Sequence, residues 1–264
     1  MDRIRNISSR DNPRYKYVCS LHDRKNAMAE GVVFIEGVRL CEDAFKSGLR
    51  PVIVIFSENK EKLASKWSEL FAFSEDVEMI SVPEHMFGKL GSTQNPQGIA
   101  AVVPAPKQPA GLPVKGKDIY LVCEGISDPG NLGTMIRIAD AFDFSAVILT
   151  DGSVDPFNEK AIRASMGSCF HVPIIQGISE ASAILILKSK GVQLVATHLG
   201  GNPLDEADIS LPAAIFIGNE ARGLSEECSA NCDILVRIPM PGMTESLNAS
   251  SAAAIMGYVI SKKR

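Results

Sequence analysis

Short apolar runs alternate with helical patterns along most of the chain. In the first hundred residues, runs with the length and composition of strands lie at 32–36, 52–56, 77–82 and 99–103. Between them, VRLCEDAFKSG predicts a helix that ends with Gly48 at a C-cap position, and NKEKLASKWSELFAF predicts another. This part of the chain is therefore predicted to form a small α/β domain.

The same alternation resumes in the C-terminal half. Strand-like runs lie at 119–123, 146–150, 192–197, 213–217 and 234–238, and helical patterns fall between them. This order predicts a parallel sheet covered by helices on both faces. In such folds ligands bind at the carboxyl ends of the strands, so the loops that leave these strands are the first places to look for a site.

A proline-rich segment separates the two halves. PAPKQPAGLPVKGK, residues 104–117, contains four prolines and two glycines, which interrupt helix and sheet alike. We predict an N-terminal domain over 1–105, a linker over 106–117 and a C-terminal domain over 118–264. A chain of 264 residues is long enough for both to bury a core.

Composition and charge narrow the classes of protein. The chain is 45% hydrophobic and 22% charged, as in soluble globular proteins. A formal net charge of −4 argues against non-specific coating of nucleic acid. Residues 1–25 nevertheless carry seven Lys or Arg against three Asp, which predicts either a solvated arm or a nucleic-acid contact. With no long apolar run and no apolar signal region, we expect a cytoplasmic protein without a membrane partner.

Metal and disulfide chemistry are not expected. The six cysteines are scattered and form no CxxC pair, and Cys228 with Cys232 has no histidine nearby.

Three polar loops follow predicted strands of the C-terminal half. In the first, residues 124–142, the glycines match neither a dinucleotide fingerprint nor a phosphate loop. Asn131 is placed to cap a helix, and Arg137 lies on a different face from the apolar positions. Taken alone, Arg137 fits an ordinary surface ion pair better than a catalytic group.

The other two loops are GNEARGLS, residues 218–225, and IPMPGMTESLNASSAAAIMGY, residues 238–258. Gly218 permits close approach of the backbone, and Ser246 and Asn248 lie at the start of a helix rich in Ala and Ser. Considered separately, GNEARGLS is an ordinary turn, and the start of the helix in 238–258 is an ordinary helix cap. The three loops contain no Ser-His-Asp set, Cys-His pair or metal-ligand cluster, so a ligand would be held by backbone groups, which suits a nucleoside-bearing small molecule.

Taken in order, DPGNLGTMIR, IGNEARGLS and IPMPGMTESLNAS resemble the three motifs of the SpoU (TrmH) family of RNA 2′-O-ribose methyltransferases. EKAIRASMGSCFHVPI, residues 159–174, also looks like a segment of that family. The N-terminal stretches FIEGVRLCEDAFKSG and STQNPQGIAAVV resemble its accessory domain, a small α/β RNA-binding fold shared with certain ribosomal proteins.

The resemblance implies a deep trefoil knot within 118–264 that binds S-adenosylmethionine, without a metal, and it implies a homodimer. Backbone groups of Gly218, Ile238 and Leu247 would hold the cofactor, with Thr197 on its adenosine side. The remaining expected cofactor-site residues are Asn219, Glu220 and Met240. For Glu220 we favour a structural role, in which it orders neighbouring loop groups.

The resemblance also implies which residues act on RNA. Asn131, Arg137, Ser246 and Asn248 would surround the ribose hydroxyl and its phosphate, with Arg137 reaching the site of the neighbouring subunit. Because a free guanidinium has a pKa above about 12, we expect Arg137 to orient the phosphate and stabilise charge rather than act as a base. In the N-terminal domain, the expected RNA-binding residues are Arg10, Arg14, Lys16 and Arg39.

The sequence departs from the family pattern at Asp143, where a glycine is common, and in the pair Phe157 and Asn158, where an aromatic residue followed by a serine is usual: Phe157 keeps the aromatic residue and Asn158 replaces the serine. A separate N-terminal RNA-binding domain favours ribosomal RNA as substrate. The alternatives are a transfer RNA 2′-O-methyltransferase and a catalytically silent RNA-binding protein of the same fold. A nicotinamide-dependent enzyme is disfavoured because the glycine fingerprint is missing.

Overall fold

The computed structural model describes residues 4–70, 76–91, 95–114 and 116–264. Small parts of four sequence features lie outside these ranges: the first three residues of the basic arm, 71–73 of the second helical pattern, 92–94 of STQNPQGIAAVV, and Lys115 of the linker. The chain divides into two compact units, one up to Lys107 and one from Gln108.

The first unit is a mixed sheet with helices. Its elements are β1 (Ile4–Asn6), α1 (Pro13–Ser20), α2 (Arg24–Ala29), β2 (Val32–Glu36), α3 (Val38–Lys46), β3 (Ile53–Ser57), α4 (Glu61–Leu70), β4 (Glu78–Val82), α5 (Glu84–Phe87) and β5 (Ile99–Pro104). The strand order is β1-β4-β3-β5-β2. Strands β1 and β3 run parallel to β4, and β5 runs antiparallel to β2 and β3.

The four strands predicted in this unit are present, and β1 was missed. Strand β1 is the three-residue segment IRN, which is too short and polar to stand out, and it forms because Met79–Ser81 of β4 offer a free edge. Helix α3 ends where predicted, with Gly48 just beyond it at a φ of +88° that favours glycine. On one face of the sheet, the Trp67 ring packs edge-on against Phe45 and Phe56.

The second unit is a parallel sheet between helices. Its elements are β6 (Ile119–Cys123), α6 (Pro129–Ala141), β7 (Ala146–Thr150), α7 (Glu159–Ser165), β8 (Ile174–Ile178), α8 (Glu180–Ser189), β9 (Gln193–Pro203), β10 (Ala213–Ile217), α9 (Glu226–Asn231), β11 (Ile234–Arg237) and α10 (Ala249–Ser261). The strand order is β11-β9-β10-β6-β7-β8, and each neighbouring pair is parallel.

Helices cover both faces of this sheet, so the predicted architecture is confirmed. Tyr120 and Val122 of β6 lie in a core cluster with Leu187 of α8 and Cys228 of α9. The intervening positions of β6 face α6, where the Cys123 Sγ lies 3.7 Å from the Met135 Sδ. Because both faces are buried, the strands read as continuous apolar runs, which is why they were visible in the sequence.

Two strands of the second unit differ from the prediction. Strand β8 was not predicted, because its sequence IIQGI is interrupted by a polar residue and by Gly177. Strand β9 was expected to end at Thr197 but extends to Pro203. Its pairing with β11 jumps from Ala196–Leu235 to Asn202–Val236, so residues 197–201 project out of the ladder between two paired segments.

Within the described ranges, no helix is long and apolar enough to span a membrane.

Candidate functional site

The three polar loops of the second unit meet at one cavity. The loops follow β6, β10 and β11, which lie with β9 in one parallel stretch of the sheet, so their carboxyl ends are at the same edge. The cavity has a volume of about 530 Å³. Every predicted catalytic or cofactor residue except Arg137 lines it: Asn131, Thr197, Gly218, Asn219, Glu220, Ile238, Met240, Ser246, Leu247 and Asn248.

One wall of the cavity is the turn that follows β10. The Asn219 side chain fixes this turn: its Oδ1 accepts hydrogen bonds from the backbone N–H groups of Ala221 (3.0 Å) and Arg222 (3.2 Å), and its Nδ2 donates to the Gly125 carbonyl (2.8 Å). The turn is closed by the Gly223 N–H, which donates to the Asn219 carbonyl. A Cβ at Gly218 would lie 2.1 Å from the Gly223 backbone, so only glycine fits there.

Glu220 ties this turn to the first loop. Its carboxylate accepts hydrogen bonds from the N–H and hydroxyl of Ser127, from the N–H of Asp128 and from Asn131 Nδ2, at 3.0–3.1 Å. Partial burial acts to raise the pKa of Glu220, but the Asn131 side chain and the backbone N–H groups outweigh it and lower the pKa to about 2. Glu220 thus orders the neighbouring loop, which is the role favoured from the sequence.

The start of α6 corrects the prediction for Asn131. The helix is capped by Asp128, whose carboxylate accepts from the Asn131 N–H at 2.8 Å, and Pro129 takes the first helical position. Asn131 is therefore the third residue of the helix and not its cap. Its side chain is left free to point toward the other two loops. Lys160 Nζ, 2.9 Å from Asp128 Oδ2, reinforces the cap.

Asn131 also joins the first loop to the third. Asn248 Nδ2 donates to Asn131 Oδ1 at 2.9 Å, while Asn248 Oδ1 caps α10 by accepting from the Ser250 N–H. Asn248 is the N-cap of α10, as its place at a helix start predicted. The chain of side chains Glu220, Asn131 and Asn248 consequently links all three loops.

Apolar side chains line much of the rest of the cavity. Leu199, on the segment that projects from β9, is 64% exposed, and Leu247 is 38% exposed. Such large exposed apolar side chains in a concave site are typical of a surface that a ligand covers. Thr197 has its hydroxyl 2.9 Å from the Phe216 carbonyl, to which it donates. This bond fastens the projecting segment to β10.

Sequence reasoning missed several cavity residues: His198, Leu199, Arg222 and Arg237. Arg222 could have been noted, because it lies inside GNEARGLS. His198 and Leu199 could also have been noted, because they directly follow the predicted strand end at Thr197, although only the fold shows the break in the β9–β11 ladder that brings them to the cavity. Arg137 is exposed on α6 and does not line the cavity of its own chain.

The cations predicted to bind RNA in the first unit are mostly paired. Arg14 forms an ion pair with Glu78 and lies over the Tyr17 ring. Lys16 Nζ is 2.8 Å from Asp11, and Arg39 is 4.0 Å from Asp43. Arg10 is exposed. The four residues thus differ in how much of their charge remains available to a phosphate.

In the part of the chain that the structure describes, no group of three or more His, Cys, Asp or Glu side chains is placed to hold a metal ion.

Comparison with known proteins agrees with this arrangement. Residues 118–258 match the SpoU rRNA methylase family, and residues 12–101 match the MRM3-like substrate-binding domain. The fold is thus that of a SpoU-type RNA methyltransferase. The chain belongs to the SpoU rRNA methylase family.

Individual relatives extend over both units. The 23S rRNA (guanosine(2553)-2′-O)-methyltransferase RlmP of Bacillus subtilis is 35% identical over 97% of this chain and 98% of its own. An rRNA methyltransferase from Sinorhizobium meliloti, solved with bound S-adenosylmethionine, is 30% identical with a TM-score of 0.86, and 98% of each chain is covered. A solved enzyme of tRNA C/U34 2′-OH methylation is 27% identical with a TM-score of 0.52, over 57% of this chain and 92% of its own.

Proposed function

We propose that this protein transfers a methyl group from S-adenosylmethionine to a ribose 2′-hydroxyl of ribosomal RNA. The observation that carries the proposal is the single cavity around which the three motif loops are held by the Glu220, Asn131 and Asn248 side chains. These hydrogen bonds hold the three loops in the arrangement that one ligand in the cavity would require.

The cavity fits the proposed cofactor. Its volume of about 530 Å³ is in the range of ligand sites. Leu199 and Leu247 offer apolar surface to a base, and the small side chains of Ala249 and Ala252 leave room where α10 begins. We assign the backbone of Gly218, Ile238 and Leu247 as the groups that hold it, with Thr197 on the adenosine side and Asn219, Glu220 and Met240 completing the walls.

The bound cofactor would supply a sulfonium-activated methyl group. The protein's task is then to align the ribose hydroxyl with that methyl group and to favour loss of its proton. Asn131, Ser246 and Asn248, which lie together on the cavity wall, are assigned to the hydroxyl. Arg137 is assigned to the adjacent phosphate and to the charge that develops on the oxygen, because a guanidinium stays protonated.

A homodimer completes the site. Arg137 is exposed on α6 and lies outside the cavity of its own chain, so we propose that it enters the cavity of a second copy. We also infer a trefoil knot in this unit. In support, the chain leaves the edge strand β11 and then returns, so that α10 packs against α6 and the central strand β10.

Ribosomal RNA is favoured over transfer RNA by the extent of the similarity. The rRNA enzymes match nearly the whole chain, whereas the tRNA enzyme matches little more than half of it. The tRNA enzyme's match, 57% of the chain, is about as long as the second unit alone. We propose that the first unit is an RNA-binding domain over 1–105, joined by the linker 106–117 to the catalytic domain 118–264. Arg10, Arg14, Lys16 and Arg39 are its proposed RNA contacts, with Arg10 the most available. A cytoplasmic location stays a prediction.

The direct test is incubation of the purified protein with labelled S-adenosylmethionine and, in parallel, unmodified ribosomal RNA and transfer RNA, followed by nucleoside analysis. We expect a 2′-O-methyl product in ribosomal RNA alone. Product in transfer RNA alone would contradict the substrate, and absence of cofactor binding would favour the silent RNA-binding alternative.

The assignment of Arg137 gives a prediction of its own. Arg137→Ala should abolish methyl transfer while cofactor binding, followed by calorimetry, is retained, because Arg137 does not line the cofactor cavity of its own chain. Lys188→Ala, which removes an exposed cation on α8, serves as the control and should retain activity. Full turnover by Arg137→Ala would refute the assignment.

A further inference from the structure

We propose that Arg222 is an RNA-binding residue that holds a phosphate beside the target ribose, on the same subunit as the cofactor cavity. This inference deepens the proposed function and rests on it. Arg222 lies on a wall shared by two cavities, the one described above and a second of about 390 Å³ on the other side of the GNEARGLS turn.

The backbone at Arg222 is fixed in place. Its N–H donates to Asn219 Oδ1 at 3.2 Å, and the next residue closes the turn through the Gly223 N–H and the Asn219 carbonyl, 2.8 Å apart. Asn219 is itself anchored to Gly125 at the end of β6. A side chain on such a turn starts from a fixed position, so the backbone does not have to be ordered when the guanidinium binds a ligand.

The guanidinium is not used within the chain. Among the described residues, Arg14, Arg163 and Arg264 form ion pairs with carboxylates, whereas the exposed Arg222 guanidinium forms neither an ion pair nor a hydrogen bond. This is notable because Glu124, Asp151 and Glu180 line the second cavity together with Arg222.

The two glutamates have donors of their own, and the three carboxylates together repel a phosphate from this side. Glu124 accepts from the Ser225 N–H at 3.2 Å, and Glu180 accepts from the Ser225 hydroxyl at 3.0 Å. Burial and the neighbouring Glu124 raise the pKa of Glu180, as expected where carboxylates lie close together and further negative charge is unfavourable. An anion that meets Arg222 would therefore lie on the side of the first cavity.

A phosphate is the anion expected there. Each ribose in an RNA chain lies between two phosphates, so a ribose that enters the first cavity brings a phosphate to its rim. A guanidinium offers paired N–H donors that match two phosphate oxygens. The S-adenosylmethionine carboxylate is the competing anion, because Gly218, Asn219 and Glu220 of the same turn are assigned to the cofactor, so the test must measure cofactor affinity as well as RNA affinity.

The test measures RNA binding separately from methyl transfer. An unmodified 23S ribosomal RNA transcript is titrated against wild type, Arg222→Ala, Arg222→Lys and the control Lys188→Ala at several salt concentrations, and cofactor affinity is measured by calorimetry. For Arg222→Ala we expect RNA affinity to fall about tenfold and the slope of log affinity against log salt to decrease by about 0.7–0.9, with unchanged cofactor affinity.

Arg222→Lys should keep the salt slope, because the charge remains, but recover only part of the affinity, because the paired donors are lost. Lys188→Ala should match wild type. Unchanged RNA binding by Arg222→Ala would overturn the inference, and so would a loss of cofactor affinity, which would assign Arg222 to the cofactor carboxylate. If wild type binds the RNA through Arg222 but methylates nothing, the proposed function fails and the phosphate contact stands.

Discussion

Single residues explain where the sequence departs from its family. Asp143 stands where a glycine is common and adopts a φ of +52°, a left-handed conformation that glycine adopts at no steric cost and Asp tolerates. Arg264 holds it there through an ion pair of 3.1 Å. Asn158 replaces a usual serine and caps α7 with its side chain, as a serine would. In both cases the residue present preserves what the usual residue would provide, a left-handed backbone conformation at Asp143 and a helix cap at Asn158.

Glu220 is the residue whose replacement is expected to reveal most about the site. Glu220→Gln should lower methyl transfer about tenfold or more. The glutamine NH₂ group would face the N–H donors of Ser127, Asp128 or Asn131, from which the carboxylate now accepts hydrogen bonds. Steady-state turnover on ribosomal RNA is the measurement. The control is Glu206→Gln, an exposed carboxylate that does not line the cavity, which should behave as wild type.

The lowered pKa of Glu220 predicts that the stability difference between wild type and Glu220→Gln depends on pH. Because the folded pKa is about 2, below the ordinary value of 4.5, its contribution to stability is complete above about pH 4.5 and is lost as the pH falls toward 2. The difference in melting temperature between wild type and Glu220→Gln should therefore shrink over that range. A constant difference would mean that Glu220 does not act through its charge.

At the scale of elements, the contact between α6 and α7 fixes the first loop. Gly133 of α6 lies so close to α7 that a Cβ there would be 2.3 Å from the Ala161 carbonyl oxygen. The helix that carries Asn131 and Arg137 is thus positioned by backbone contact with its neighbour.

Gly133→Ala should destabilise the protein by about 1–3 kcal/mol or more, because the added methyl group must push α6 away from α7. Denaturant unfolding is the measurement. Gly111→Ala is the matched control, since a Cβ at Gly111 meets nothing within 4 Å, and its effect should be within about 0.5 kcal/mol. Equal stability of the two variants would refute the close contact.

At the scale of the whole molecule, the proposed site needs two chains. Arg137 and the cavity belong to the same sequence, but the structure does not bring them together. A mixed dimer tests whether they meet across subunits. Arg137→Ala is combined with Leu247→Trp, in which a larger side chain fills the cavity that Leu247 lines.

Each variant alone should be inactive, and their mixture should regain about a quarter of wild-type turnover. Half of randomly assorted dimers would be mixed, and each mixed dimer would hold one open cavity served by one intact Arg137. Activity on ribosomal RNA after refolding the mixture is the measurement. A mixture as inactive as its components would show that Arg137 acts within its own chain.

Much of this protein was determined by local sequence. The buried strands of the parallel sheet were visible because burial on both faces leaves continuous apolar runs. The three motif loops were visible because close backbone approach, helix starts and tight turns require Gly, Asn, Ser and Pro, as at Gly218 and Asn248. Strands β1 and β8 were missed because their pairing comes from a neighbouring edge, and not from their own composition.

Tertiary structure alone decided how these parts combine. From the sequence, Asn131 was predicted to cap a helix. Only the fold showed that Asp128 caps α6, which leaves the Asn131 side chain to join Glu220 to Asn248. His198 and Leu199 reach the cavity because β9 breaks its pairing with β11. Local sequence patterns reflect the backbone conformation that each residue prefers. Contacts between distant loops depend instead on the order of the strands in the sheet, which no single stretch of sequence encodes.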